Sequence, residues 1–117
     1  MSHIDLYGIP NCDTVKKARV WLERHGLAYT FHDYKKEGSD PAKVARWIAA
    51  AGLDQIVNRK GTTFRKLSEA EQAAAADSHT AVALLVQHTS VIKRPIAEHA
   101  GGLLVGFKED EWRVLLD

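Results

Sequence analysis

The chain has 117 residues, 45% hydrophobic and 26% charged, enough for one packed core and typical of a globular protein. Its 16 basic and 15 acidic side chains leave a formal charge of +1, so a broad electrostatic footprint for nucleic acid is excluded and any partner must be argued from a local site. A single cysteine excludes an internal disulfide, and no apolar run reaches the roughly 20 residues that a bilayer-spanning helix needs. The opening MSHIDLYG lacks the basic and apolar regions of a signal peptide, so a cytoplasmic protein forming one domain over 1–117 is expected.

Ile4 and Leu6 alternate with polar neighbours and run into the turn residues GIPN, which reads as a short strand. From Asp13 the period changes. Val15, Ala18 and Leu22 form an apolar stripe with Lys16, Lys17, Arg19, Glu23 and Arg24 mostly off it, so an amphipathic helix follows. Asn11, Asp13 or Thr14 is placed to cap its start, and Gly26 to end it in a left-handed conformation. AYTFHDY alternates Tyr29 and Phe31 with Thr30 and His32, a second strand that completes a right-handed parallel βαβ unit.

KKEGSD reads as a turn, and DPAKVARWIAAAG as a helix with an Asp-Pro start, a face of Val44, Ile48 and Ala51, and a stop at Gly52. Ser68 to Glu71 has capping-box spacing ahead of an alanine run, and TAVALLVQH supplies another apolar helix. A helical insertion over about 39–90 is therefore expected. PIAEH, AGG and LLVGF then read as a β-hairpin, and KEDEWRVLLD as a closing helix with Trp112, Leu115 and Leu116 on one face. The order βαβ, helical insertion, ββα predicts an α/β protein of thioredoxin-like fold, with a four-stranded mixed sheet and the insertion between strands two and three.

Cys12 stands where the first strand hands over to the first helix. Free backbone N–H groups and the helix dipole favour an anion there, and the thiolate is the reactive form of cysteine. The dipole contributes only about 0.3–1 kcal/mol, so a further cation is required, and arginine suits because it stays charged and grips an oxyanion with two bonds. Arg59 in VNRKGTTFRKL and Arg94 in VIKRPI are the candidates, the latter just before Pro95, where a cis bond is accessible. The bland readings are a buried small hydrophobe for Cys12, a solvated basic surface for Arg59, and an ion pair at the sheet edge for Arg94. The six histidines have no metal-ligand spacing, so no metal is assigned, and GTT at 61–63 reads as a turn.

LYGIPNCDTVKKARVWLERHGLAYTFHDY, VNRKGTTFRKL, IKRPI and LLVGFKEDEW together resemble the ArsC/Spx family over essentially the whole chain, most closely its branch of small YffB-like proteins. The resemblance implies a thioredoxin-like core with a helical insertion, a nucleophilic Cys12, Arg59 and Arg94 around an oxyanion pocket, and Pro95 in the cis form. Arsenate-reducing members use a third arginine where this chain has Gly106 and Phe107, and a small residue where it has Asp13. Spx-type regulators often carry C-x-x-C, whose second position here is Val15.

The function expected is a thiol-disulfide oxidoreductase that uses glutathione as co-substrate and no bound cofactor. Cys12, Arg94 and Arg59 would be catalytic, and Asn11, Asp13, Thr14 and Pro95 would line the substrate position. The alternatives are an arsenate reductase served by glutaredoxin, and an Spx-like regulator that binds RNA polymerase. No direct nucleic-acid or membrane contact is expected, and a monomer is, because the apolar residues are already assigned to core faces.

Overall fold

The computed structural model describes residues 3–116. In chain order its elements are β1 (Ile4–Gly8), α1 (Asp13–Arg24), β2 (Tyr29–Asp33), α2 (Tyr34–Glu37), α3 (Pro41–Ala51), α4 (Leu53–Ile56), α5 (Thr62–Arg65), α6 (Glu69–Ala74), α7 (Ser78–Gln87), β3 (Ile96–His99), β4 (Gly102–Val105) and α8 (Glu109–Trp112). Two 3₁₀ turns, Thr89–Val91 and Arg113–Leu116, complete the set. The chain folds as two compact units, one built from the segment up to Glu37 and the segment from Arg94 onward, the other from Gly38–Lys93. No helix of the described residues is long and apolar enough to cross a membrane.

The first unit is a four-stranded sheet in the order β2-β1-β3-β4. β1 and β2 are parallel with Leu6 opposite Phe31, β3 is antiparallel to β1 with Ala97 opposite Leu6, and β4 is antiparallel to β3 with Leu104 opposite Ala97. Because side chains alternate along a strand, this register puts Phe31, Leu6, Ala97 and Leu104 in one row on one face. Ala18, Trp21 and Leu22 of α1 and Trp112 of α8 cover that face and close the core. With a βα crossover between parallel strands and an antiparallel ββα tail, the arrangement is the thioredoxin-like fold. On the opposite face Tyr7 donates to Glu98 at 3.0 Å and stacks on His32, whose Nε2 lies 2.9 Å from Asp5.

The boundaries follow from local chemistry. Gly26, at φ 66, ends α1 as expected: its N–H bonds the Glu23 carbonyl and the Leu27 N–H bonds that of Leu22, the paired closure of a left-handed helix end. KKEGSD is not a simple turn. Its first residues form α2, because the Asp33 carboxylate accepts from the N–H groups of Lys35 and Lys36 and so nucleates a helical turn. The closing segment departs from the expected helix as well. Beyond Trp112 it tightens to three residues per turn, which keeps Leu115 under Trp112 but swings Leu116 out to 43% exposure.

The second unit is helical. Asp40 caps α3 by accepting from Ala42, and the face of α3 that is buried carries Val44, Trp47 and Ile48, with Trp47 rather than Ala51 as its third member. Ser68 and Glu71 form the reciprocal capping box of α6. GTT is not a turn: Gly61 caps α5, and both threonines lie inside it. A Val57–Ile92 bridge, with Asn58 N–H donating to the Val91 carbonyl at 2.7 Å, ties the segment after α4 to that after α7.

Candidate active site

β1 ends at Gly8, and a β-turn follows in which the Cys12 N–H donates to the Ile9 carbonyl at 3.3 Å, with Pro10 and Asn11 as the two central residues. Proline suits the first of these because its φ is already fixed near the value required. The turn delivers Cys12 directly to the N-cap of α1, with φ −90 and ψ 125 and with its carbonyl accepting from Lys16 at 3.0 Å. The cap therefore differs from that expected. Asn11 belongs to the turn, Asp13 and Thr14 to the first helical turn, and no side chain makes the cap hydrogen bond. The N–H groups at the start of this 12-residue helix thus face the sulfur's surroundings without a capping oxygen among the described residues. Gly8 secures the position: a Cβ there would meet Val15 Cγ2 at 2.7 Å, so the backbone of β1 approaches the fully buried Val15 closely enough to fix the start of α1.

The sheet register brings three segments to one edge. Gly8 pairs with Asp33, which puts Tyr34 one step beyond the end of β2, and Tyr7 pairs with Ile96, which puts Pro95 and Arg94 just before β3 beside the end of β1. The Arg94–Pro95 bond is cis, and Pro95 is buried with its carbonyl accepting from the Gly106 N–H at 2.8 Å. Arg94 hydrogen-bonds the Tyr34 hydroxyl, and Cys12 is near enough to act on that hydroxyl electrostatically. Tyr34 is 1% exposed. Burial drives its phenol well above the ordinary value of 10.0, Arg94 opposes the rise and Cys12 adds to it, so Tyr34 is a neutral hydroxyl held between a cation and a thiol.

Cys12, Asn11, Asp13, Thr14, Arg94 and Pro95 all belong to the first unit, and Cys12 is half-buried while Asn11, Asp13 and Thr14 are exposed. Arg59 belongs to the second, where its guanidinium donates to Asp54 at 2.8 Å and to the Ala75 carbonyl at 3.2 Å. Arg94 forms no ion pair among the described residues, which leaves its charge available at the sheet edge. Sequence reasoning missed Tyr34. The signal was present, since the residue after β2 occupies the carboxyl end of a parallel pair, where α/β sheets place their sites. No cluster of metal-ligating side chains occurs among the described residues.

Comparison with known proteins agrees with this architecture. A solved structure of the YFFB protein is 49% identical, with a TM-score of 0.92, covering 97% of this chain and 99% of that one. An arsenate reductase related protein from Brucella melitensis is 46% identical, with a TM-score of 0.74 and coverage of 98% and 95%. The global transcriptional regulator Spx of Bacillus subtilis is 30% identical over 116 residues, 97% of this chain and 86% of the regulator. The ArsC family model matches residues 7–115, nearly the whole chain, and the protein belongs to the ArsC family.

Proposed function

We propose that this protein is a thiol-disulfide oxidoreductase that works with glutathione through Cys12 alone. The observation that carries the reading is the half-buried thiol at the uncapped N-terminus of α1, with Arg94 and Tyr34 converging on the same edge. The Cys12 thiolate attacks the glutathione sulfur of a mixed disulfide, forming Cys12–S–S–glutathione and releasing the other sulfur as a thiolate. A second glutathione thiolate then attacks the glutathione sulfur of that adduct, giving oxidised glutathione and restoring the Cys12 thiolate. The net reaction converts the mixed disulfide and one glutathione thiolate into the released thiolate and oxidised glutathione, one sulfur being reduced for each thiol oxidised, so no bound cofactor enters. Arg94 stabilises the negative sulfur and offers its remaining donors to a glutathione carboxylate, while the N–H groups from Asp13 onward steady the sulfur.

Incubation with oxidised glutathione followed by intact mass measurement should show one added glutathione, and Cys12→Ser should show none. An unmodified native protein would refute the reading. The relation to an arsenate reductase related protein makes arsenate a second substrate to assay, although Gly106 and Phe107 bring no further cation. The 30% identity to Spx supports a regulatory reading, in which polymerase would be retained from cell extract by Cys12→Ala as well as by the native chain.

A further inference from the structure

A groove of about 500 Å³ runs along α1 in the first unit, its lining beginning at Lys16, one helical turn beyond Cys12. Its floor is apolar, made by Trp21, Phe107 and the 45% exposed Val20, and its rim is basic, with Lys16, Lys17, Arg24 and Arg113 set against the single carboxylate of Glu109. None of these four cations is ion-paired among the described residues. The remaining basic residue of α1, Arg19, is occupied elsewhere, donating to Tyr29 at 3.1 Å with its guanidinium 4.3 Å over the Phe31 ring. In a chain of net charge +1, four cations round one groove with no ion-pair partner among the described residues are a local concentration of charge.

The floor is rigid. Trp21, Phe107 and Trp112 meet edge to face with centroids 5.1 to 6.3 Å apart, and the Trp112 Nε1–H is fixed to the Gly106 carbonyl at 2.9 Å. We propose that the groove docks a short acidic protein segment carrying one bulky apolar side chain, the side chain resting on Val20 and Phe107 and the carboxylates meeting the cationic rim. From Lys16 to Arg24 the helix advances about 12 Å, the length of about four extended residues. Charge complementarity selects the acidic partner, and the apolar floor demands the anchor. Nucleic acid fits less well, because Trp21 is only 7% exposed and presents no open ring face for a base to stack on. A lone inorganic anion fits less well too, since no buried polar side chain occurs in the groove to grip it.

The test titrates the full chain with three labelled, end-blocked pentapeptides: phenylalanine flanked by two glutamates on each side, the same with glycine at the centre, and the same with lysines for glutamates. The acidic phenylalanine peptide should bind most tightly, weaken as salt rises, and shift amide resonances of α1 and α8. Lys17→Glu combined with Arg113→Glu should weaken it about tenfold or more, and Val20→Asp comparably. Both variants should still take up glutathione on Cys12, and Cys12→Ser should bind the peptide as the native chain does, so this docking and the thiol chemistry fail separately. Equal binding of the glycine peptide, indifference to the charge reversal, or tighter association with anionic vesicles or a single-stranded oligonucleotide at the same salt would overturn the proposal.

Discussion

Arg94 and Arg59 both sit in short basic stretches of the chain, yet the two units use them differently. In the second unit the Arg59 guanidinium bridges the Asp54 carboxylate and the carbonyl that ends α6, and the His88 ring nitrogen likewise lies 3.0 Å from the Glu71 carboxylate, so polar side chains are met within the helices. In the first unit Arg94 meets the Tyr34 hydroxyl and forms no ion pair with a carboxylate among the described residues. A guanidinium paired with a carboxylate is already neutralised, whereas one held by a phenol is positioned without being spent. The lesson is that orientation and neutralisation are separable, and the proposed thiol chemistry needs the first without the second.

The contrast can be broken from several sides. The largest effect should come from Trp112→Ala, which removes a fully buried ring from the core behind α1 and is expected to cost about 3–5 kcal/mol in urea unfolding. Next, Arg94→Gln should slow glutathione uptake by Cys12 about tenfold, equivalent to about 1.4 kcal/mol, while Arg59→Gln should change it less and register chiefly as lost stability. A larger kinetic effect from Arg59→Gln would reverse the comparison. Within the second unit, Ser68→Ala opens the capping box of α6 and should cost about 1 kcal/mol in the same unfolding assay, with no change at Cys12.

The smallest effects are those of pH. Burial raises the folded Tyr34 pKa above 10.0, so its contribution is complete below that value and lost as pH rises beyond it. Tyr34→Phe should flatten the alkaline limb of the stability curve. Hydrogen bonds from the Ser68 backbone and side chain lower the Glu71 pKa below 4.5, so that contribution is present above 4.5 and lost as pH falls through the lowered value. Burial lowers the His99 pKa below 6.5, which adds a loss as pH falls below 6.5. Glu71→Gln and His99→Gln should each remove their own part of the acid limb, read by thermal unfolding across a pH series.

Where a side chain acts on its own backbone neighbours, the chain could be read directly. The stop at Gly26, the cap at Asp40 and the reciprocal bonds of Ser68 and Glu71 are set within a few residues of sequence and occur as expected. The period change at Asp13 likewise located α1, because an apolar stripe has to face the sheet. Readings failed where a second influence competed with local pattern. The short helix after β2 arises from one carboxylate of Asp33, and the tightening after Trp112 spoiled a helical-face count based on 3.6 residues per turn. Asn11, Asp13 and Thr14 were all suitable caps, and a β-turn one residue upstream decided among them by giving the place to Cys12.

By itself the sequence determined the βαβ and ββα halves, the helical stretch between them and the presence of one thiol at a helix mouth, since each depends on periodicity or spacing along a continuous segment. Only the tertiary structure decided which side chains share the edge with that thiol. Tyr34 and Arg94 are 60 residues apart in sequence, and they meet because the register of β1 with β2 and β3 fixes where each strand ends. Helix packing likewise places Lys16, Lys17 and Arg24 of α1 round an apolar floor of Trp21 and Phe107, with no ion-pair partner for them among the described residues, an arrangement that no local segment encodes.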